Sequence, residues 1–443
     1  MKNLKLVVVG LGSIGGNLSK SLIEKGYNVC VWDKNIKKTR MFCKNLKISF
    51  FKNKKNVFNK ERKVIILTLP SGSEIDNFIL QNLNKLKKNK IILDFGNNHP
   101  EDTVRRFNFL KRLKISYLSC GFSGGIEGAK KNASLMISCN LKLFNHLKNL
   151  FLDIIGKKNH KFLSRVGSNV ESANYTKIIH NGIEYAIMQS IADYYSFLFE
   201  NLRLKNSEII DEFNKLKSKT GHSFLIDISR KIVEDSRSNQ NSLYNILDKV
   251  DDNKTGAWAS GFAFDNDFPI PLITTSVEAR YLSRQKRLFK KYKKKIKYKN
   301  LDKIKKDILE VTYLLIFSSY LQGIGLLNAI SKNKNININL KNTILSWSNN
   351  SIINSELLKK IFVKIKSNRI DIYKIFKNEL SLSKNNSLNN ILVHLTSNNI
   401  ILPSVFSFSI WANLLVDKEN ISFSFIQKQR NVFGNHKLKF KKK

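Results

Sequence analysis

The chain has 443 residues, 42% of them apolar, which excludes intrinsic disorder and leaves room for about two or three domains around a sizeable core. Lys and Arg total 77 against 34 acidic residues, a formal net charge of +43. Lys outnumbers Arg and the charge is spread along the chain, so it reads as compositional drift; no segment looks built for base readout, and no specific nucleic-acid partner is expected. Four cysteines, Cys30, Cys43, Cys120 and Cys139, are too few for a disulfide framework and include no CxxC pair for a metal, so a reducing cytoplasmic setting is expected.

Residues 1–9 begin with a Lys and an apolar run, as a signal peptide does, but glycines interrupt the run and no cleavage pattern follows. They read as a first strand. Short apolar runs at 6–9, 29–32, 64–69, 91–95 and 117–118 alternate with helical segments to about residue 140, the pattern of a parallel sheet covered by helices. From about residue 169 to 413 helical periodicity dominates, and the whole chain has only 5 prolines to interrupt it. Residues 311–330 are uncharged over a membrane-spanning length, yet Thr312, Ser318, Ser319, Gln322, Gly323, Gly325 and Asn328 favour a buried core helix, and no membrane partner is expected. The Lys-rich stretch 284–299 reads as a solvated face or loop.

Gly10-Leu11-Gly12-Ser13-Ile14-Gly15 follows the first strand directly and opens a helix. Gly10 permits the tight turn, Gly12 lets backbone amides approach a pyrophosphate, and Gly15 lets the helix pack on the strand. A second strand ends in Asp33, about 20 residues on, which completes the context of a dinucleotide-binding turn. The fold class expected is therefore α/β: a Rossmann-type parallel-sheet domain at 1–168, a large all-α domain at 169–416 and a short polar tail at 417–443. Asp33 suits a ribose 2′-hydroxyl and hence NAD, whereas Lys34, Lys37, Lys38 and Arg40 suit the 2′-phosphate of NADP. These signals oppose each other.

Further on, Lys177, His180, Asn181 and Glu184 stand at i, i+3, i+4 and i+7 on one helical face. Their neighbours are Ile178, Ile179, Gly182, Ile183 and Ala186, so the narrow polar stripe runs through apolar material. A lysine desolvated by such flanks can be neutral near neutral pH and act as a base, while a carboxylic acid two turns away can return a proton.

At these residues the chain resembles the 6-phosphogluconate dehydrogenase family, within the wider β-hydroxyacid dehydrogenase group. The resemblance spans nearly the whole length. It is carried by the glycine turn, Asp94-Phe95-Gly96-Asn97, Ser123-Gly124-Gly125-Ile126-Glu127-Gly128, the segment from Lys177 to Tyr185, Ala279-Arg280, and Gln429-Arg430-Asn431-Val432-Phe433-Gly434-Asn435-His436. It implies oxidative decarboxylation of 6-phosphogluconate to ribulose 5-phosphate with NADP, or possible use of NAD, and no metal. Lys177 is the implied base and Glu184 the implied acid. Asn97, Ser123, Gly124, Gly125, His180 and Asn181 are implied to hold the carboxylate and hydroxyls of the substrate. Tyr185, Thr255 and Arg280, with Arg430 and His436, are implied to hold its phosphate. The cofactor would lie along Gly10, Leu11, Gly12, Ser13, Ile14 and Gly15, beside Asp33, Lys34, Asn35, Leu69, Pro70, Ser71 and Asn97. The family's tail enters the neighbouring subunit's site, which implies a homodimer.

The chain departs from the family pattern in three places. Asp33-Lys34-Asn35 stand where Asn-Arg-Thr is usual, Leu69-Pro70-Ser71 where Val-Lys-Ala is usual, and Asn253-Lys254-Thr255 where Lys-Gly-Thr is usual, which shifts a phosphate-binding lysine by one position to Lys254. Two alternatives stay open at this point: another β-hydroxyacid dehydrogenase or reductase, and a basic nucleic-acid-associated protein on the same fold.

Overall fold

The computed structural model describes residues 4–52, 57–58, 61–86, 89–236, 243–285, 300–365, 370–382, 386–416 and 419–440. Beyond residue 285, the Lys-rich stretch noted above lies outside them. Seven strands, β1 (Lys5–Val9), β2 (Asn28–Trp32), β3 (Val64–Leu67), β4 (Ile91–Asp94), β5 (Ser116–Ser123), β6 (Ser134–Ser138) and β7 (Arg165–Gly167), form one sheet in the order β2-β1-β3-β4-β5-β6-β7. All pairs are parallel except β5 with β6. The central strands are apolar on both faces, so they need cover on both. Leu6, Val8, Ile66 and Leu93 join one apolar cluster, while Val7, Val9, Ile65, Leu67 and Ile92 join the cluster on the opposite face.

Register decides where function can sit. Val9 lies opposite both Trp32 and Leu67, and Leu67 opposite Asp94. The strands therefore end level, and Gly10, Asp33, Thr68 and Phe95 leave the sheet at one edge. Strand order reverses at β1, so a crevice opens there between the outgoing connections.

The rest of the chain is largely helical and has its own core. Its centre is the helix Ser172–Ser196, buried nearly all round. This helix seats directly on β5 because residue 121 is a glycine: a Cβ there would stand 2.8 Å from the Cβ of Lys177 and 3.1 Å from that of Met136. The helix Leu301–Asn333 is apolar and long enough to cross a membrane, and 83% of its most apolar window is buried within the fold. The tail differs from its polar reading. Residues Ile421–Gly434 form a helix with no buried side chain, on which Phe425 is 65% and Phe433 76% exposed.

Candidate active site

The glycine turn is fixed by close packing. Gly10 has φ +94°, and a Cβ on it would stand 2.7 Å from the Thr68 carbonyl oxygen; a Cβ on Gly15 would stand 2.0 Å from the Gly10 carbonyl oxygen. Gly12 is different, because a Cβ there would meet nothing within 4 Å. No protein atom demands that glycine; it faces open space. The helix Ser13–Glu24 begins there with no side-chain cap and no acidic residue in its first turn, an arrangement suited to an anion.

A crevice of about 730 Å³ runs past this turn, lined among others by Gly10, Gly12, Asp33, Lys34, Lys38, Thr68, Leu69 and Pro70. Leu11, Ser13, Gly15 and Asn35, expected along the cofactor, do not line it: Leu11 and Gly15 are buried, and Ser13 and Asn35 are exposed. The Asp33 carboxylate is turned toward the chain itself: one oxygen accepts from the Leu11 amide at 2.7 Å and the other from the Asn35 amide at 2.9 Å. Asn35 in turn caps its helix by accepting from the Lys38 amide at 3.0 Å. Lys34 reaches across the mouth to Glu74 at 3.2 Å. Lys34 and Lys38 at the mouth are the donors that a 2′-phosphate needs, and the Asp33 carboxylate beside them has each oxygen engaged by a backbone amide.

A second cavity of about 720 Å³ shares Thr68, Leu69 and Pro70 with the first. Of the residues expected from sequence, Ile14, Ser71, Asn97, Ser123, Gly124, Gly125, Lys177, Asn181, Glu184, Tyr185 and Arg280 line it. So do Phe95, Phe122, Met188, Asp251, Asp252, Asn253 and Ile352, which sequence reasoning missed. Phe95 adjoins a quoted motif, and Met188 continues the polar stripe by one turn. Nothing local marks Ile352, which comes from a loop far along the chain.

Behind the cavity wall lies a polar chain. Ser123 Oγ accepts from the Ile352 amide at 3.2 Å and stands 3.0 Å from His180 Nε2. Asn181 Oδ1, 3.2 Å from His180 Nδ1, can only accept, so the ring proton sits on Nδ1 and Nε2 is left to accept the Ser123 hydroxyl. Asn181 Nδ2 donates to Thr255 Oγ1 at 3.1 Å, Thr255 Oγ1 donates to Asn253 Oδ1, and the Tyr185 hydroxyl donates to the same oxygen at 3.1 Å. His180 is held neutral, its pKa driven well down by burial and then by Lys177. The 3.8 Å approach of its Nδ1 to Glu184 is therefore not an ion pair.

Lys177 and Glu184 are the electrostatic centre. Burial pushes the Lys177 amine down to about 8, opposed in part by Glu184. Burial raises the Glu184 carboxyl, opposed by Lys177 and Arg280. Each is thus shifted toward its neutral form, so one can take a proton and the other give one. Arg280 lies over the Tyr185 ring, its guanidinium carbon 3.5 Å from the ring centre, and its charge faces the same cavity.

Three expected residues stand apart. Lys254 is exposed, sits at φ +66° and donates its amide to Asp252 Oδ1 at 2.7 Å; this turn directs the side chain outward, and Asn253 faces the cavity instead. The Arg430 side chain donates to Gln427 on its own helix, at 3.2 Å, and His436 packs on Phe433; neither lines the cavity.

The family described as the NAD binding domain of 6-phosphogluconate dehydrogenase matches residues 5–165, and the 6-phosphogluconate dehydrogenase C-terminal domain matches residues 173–443. The decarboxylating 6-phosphogluconate dehydrogenase of Buchnera aphidicola (subspecies Acyrthosiphon pisum) is 30% identical over 98% of this chain and 96% of its own. That of Ceratitis capitata is 30% identical over 80% of this chain and 76% of its own. The Plasmodium falciparum 6-phosphogluconate dehydrogenase, solved in its apo form, with its cofactor NADP+ and with its substrate 6-phosphogluconate, superposes with a TM-score of 0.90 at 25% identity, covering 99% of this chain and 98% of that one. With a buried amine and carboxyl beside a glycine-lined crevice, and with both domains matched, the chain belongs to the 6-phosphogluconate dehydrogenase family.

Proposed function

We propose that the protein oxidises and decarboxylates 6-phosphogluconate to ribulose 5-phosphate and carbon dioxide with NADP as its cofactor. The observation that carries this reading is the opposed shift of Lys177 and Glu184 in one cavity that opens onto the dinucleotide crevice. NADP supplies a hydride acceptor for carbon 3 of the substrate. Lys177, neutral, takes the proton of the 3-hydroxyl as that hydride leaves. The resulting 3-keto acid breaks its bond between carbons 1 and 2, the electron pair moving toward the new carbonyl, whose oxygen Lys177 reprotonates to give an enediol. Glu184 then protonates the carbon that becomes carbon 1 of the product. Asn97, Ser123, Gly124, Gly125 and Asn181 hold the sugar acid, and His180, behind the wall, orients Ser123 and Asn181. Tyr185 and Arg280 hold the phosphate, with Asn253, braced by Thr255, in place of the usual lysine.

The same reading divides the chain at 168 and 416 and assembles it as a homodimer, in which residues 417–443 carry Arg430 and His436 into the partner's cavity. The exposed apolar side chains of the helix Ile421–Gly434 support that assembly. A cytoplasmic location is supported by four cysteines that are all buried and unpaired.

The test is direct. Purified protein with 6-phosphogluconate and NADP should generate reduced nicotinamide and carbon dioxide in equal amounts. Folded protein giving neither with NADP or NAD rejects the reading, and turnover of another hydroxyacid in a substrate panel redirects it.

A further inference from the structure

The helix Pro100–Arg112 lies outside both cavities, yet it buries one guanidinium between their walls. The Arg106 side chain is 1% exposed. Its Nε donates to Asp76 Oδ1 at 2.8 Å and its Nη2 to Asp76 Oδ2 at 3.0 Å, the forked pairing that guanidinium and carboxylate planes favour. Nη2 also donates to the Gly72 carbonyl at 2.9 Å, and Nη1 donates to Asn98 Oδ1 at 3.0 Å. Gly72 closes the loop that carries Leu69 and Pro70, shared by both cavities, and Ser71, which lines the second. Asn98 adjoins Asn97, and its carbonyl accepts from Asn174 Nδ2 at 3.1 Å, one turn before Lys177 on the same helix.

We infer that Arg106 is a positioning residue, a buried clamp that sets the spacing between the cofactor-side loop ending at Gly72 and the substrate-side loop at Asn97, and through Asn98 and Asn174 relates both to the helix bearing Lys177. The inference rests on the proposed activity. A reaction that passes a hydride from sugar to nicotinamide depends on that spacing, because a misplacement of about 1 Å costs on the order of a hundredfold in rate. A point charge cannot replace the fork, since a lysine cannot meet Asp76, Gly72 and Asn98 together in one plane.

Asn98→Ala removes the substrate-side arm of the clamp without stripping Asp76 of its counter-ion; the Asn98 Nδ2 also donates to the Gly96 carbonyl at 3.3 Å, so Arg106→Lys, which leaves that bond in place, is the paired variant. Asn98→Ala should lower kcat per active site about tenfold or more, while the separate dissociation constants for NADP and 6-phosphogluconate change less than about threefold. Asn98→Asp, which keeps the acceptor for Arg106, should recover most of the loss. In ligand-free protein, amide hydrogen exchange should rise at residues 95–98 in Asn98→Ala, and at both 69–72 and 95–98 in Arg106→Lys. Unchanged exchange in these variants overturns the clamp, as does wild-type kcat in Asn98→Ala or in Arg106→Lys. If the unaltered protein turns over no 6-phosphogluconate, the activity reading fails, and the exchange measurement still decides the clamp.

Discussion

Lys177 carries opposite consequences for activity and stability. Its amine titrates at about 8 in the fold against 10.5 when free. The charged form is the one the fold disfavours, so below about pH 8 the folded state bears a penalty of about 3 kcal/mol, which fades as pH rises through 8 toward 10.5. Lys177→Met is therefore expected to abolish turnover and yet to stabilise the protein at pH 7, by as much as about 3 kcal/mol, with the gain shrinking above pH 8. Urea unfolding at pH 7 and pH 10 measures this, and a variant less stable than the parent at pH 7 contradicts it. The same amine must be neutral to accept the hydroxyl proton, so kcat/KM should climb with pH through about 8. Because the Glu184 charge pulls the Lys177 pKa upward, Glu184→Gln should cut turnover by roughly 10²- to 10⁴-fold and also move that acid limb to lower pH. An acid limb that stays in place separates the two groups.

At the scale of elements, the glycine turn contains two kinds of constraint that its sequence presents as one. Gly15 answers to its own chain, because a Cβ would press 2.0 Å from the Gly10 carbonyl. Gly15→Ala is expected to lose about 2–4 kcal/mol, read as a lower thermal midpoint. Gly12 answers only to a ligand. Gly12→Ala should melt within about 2 °C of the parent while its NADP dissociation constant rises tenfold or more by calorimetry; equal loss of stability in both variants removes the distinction. Five strands and this turn were legible because parallel strands buried on both faces make unbroken apolar runs. The sixth and seventh strands were not: Ser134–Ser138 is antiparallel and flanked by serines, and Arg165–Gly167 is three residues long. The Lys177 stripe was legible from spacing and its apolar flanks. Gly182 on that helix faces protein: a Cβ there would meet Ile273 at 3.0 Å and Ala259 at 3.3 Å, so it serves helix packing. Asn253, Ile352 and the Arg106 clamp were illegible, since each gains its meaning from segments that only tertiary folding brings together.

At the scale of the whole molecule, the tail is the unbalanced part. A helix of 14 residues is marginal in water by itself, and Ile421–Gly434 presents Ile421 at 83%, Val432 at 77% and Phe433 at 76% exposure with no buried side chain to anchor it. Two of its side chains, Arg430 and His436, meet no acidic side chain on their own subunit among the described residues, Arg430 donating to Gln427 and His436 packing on Phe433, whereas the cavity of the partner would offer the substrate phosphate. If the tail works across subunits, sedimentation should give twice the chain mass, and a chain ending at residue 416 should bind NADP but turn over at least about a hundredfold more slowly. The decisive measurement mixes two inactive forms, the truncated chain with its own Lys177 and the full-length Lys177→Met variant, refolded together so that hybrids form. In a hybrid, the tail of the variant completes the cavity of the truncated chain, so one site of the two regains turnover. A tail that folded back into its own subunit would leave every site in the mixture lacking either its amine or its cations, and activity would stay at the level of the separate forms.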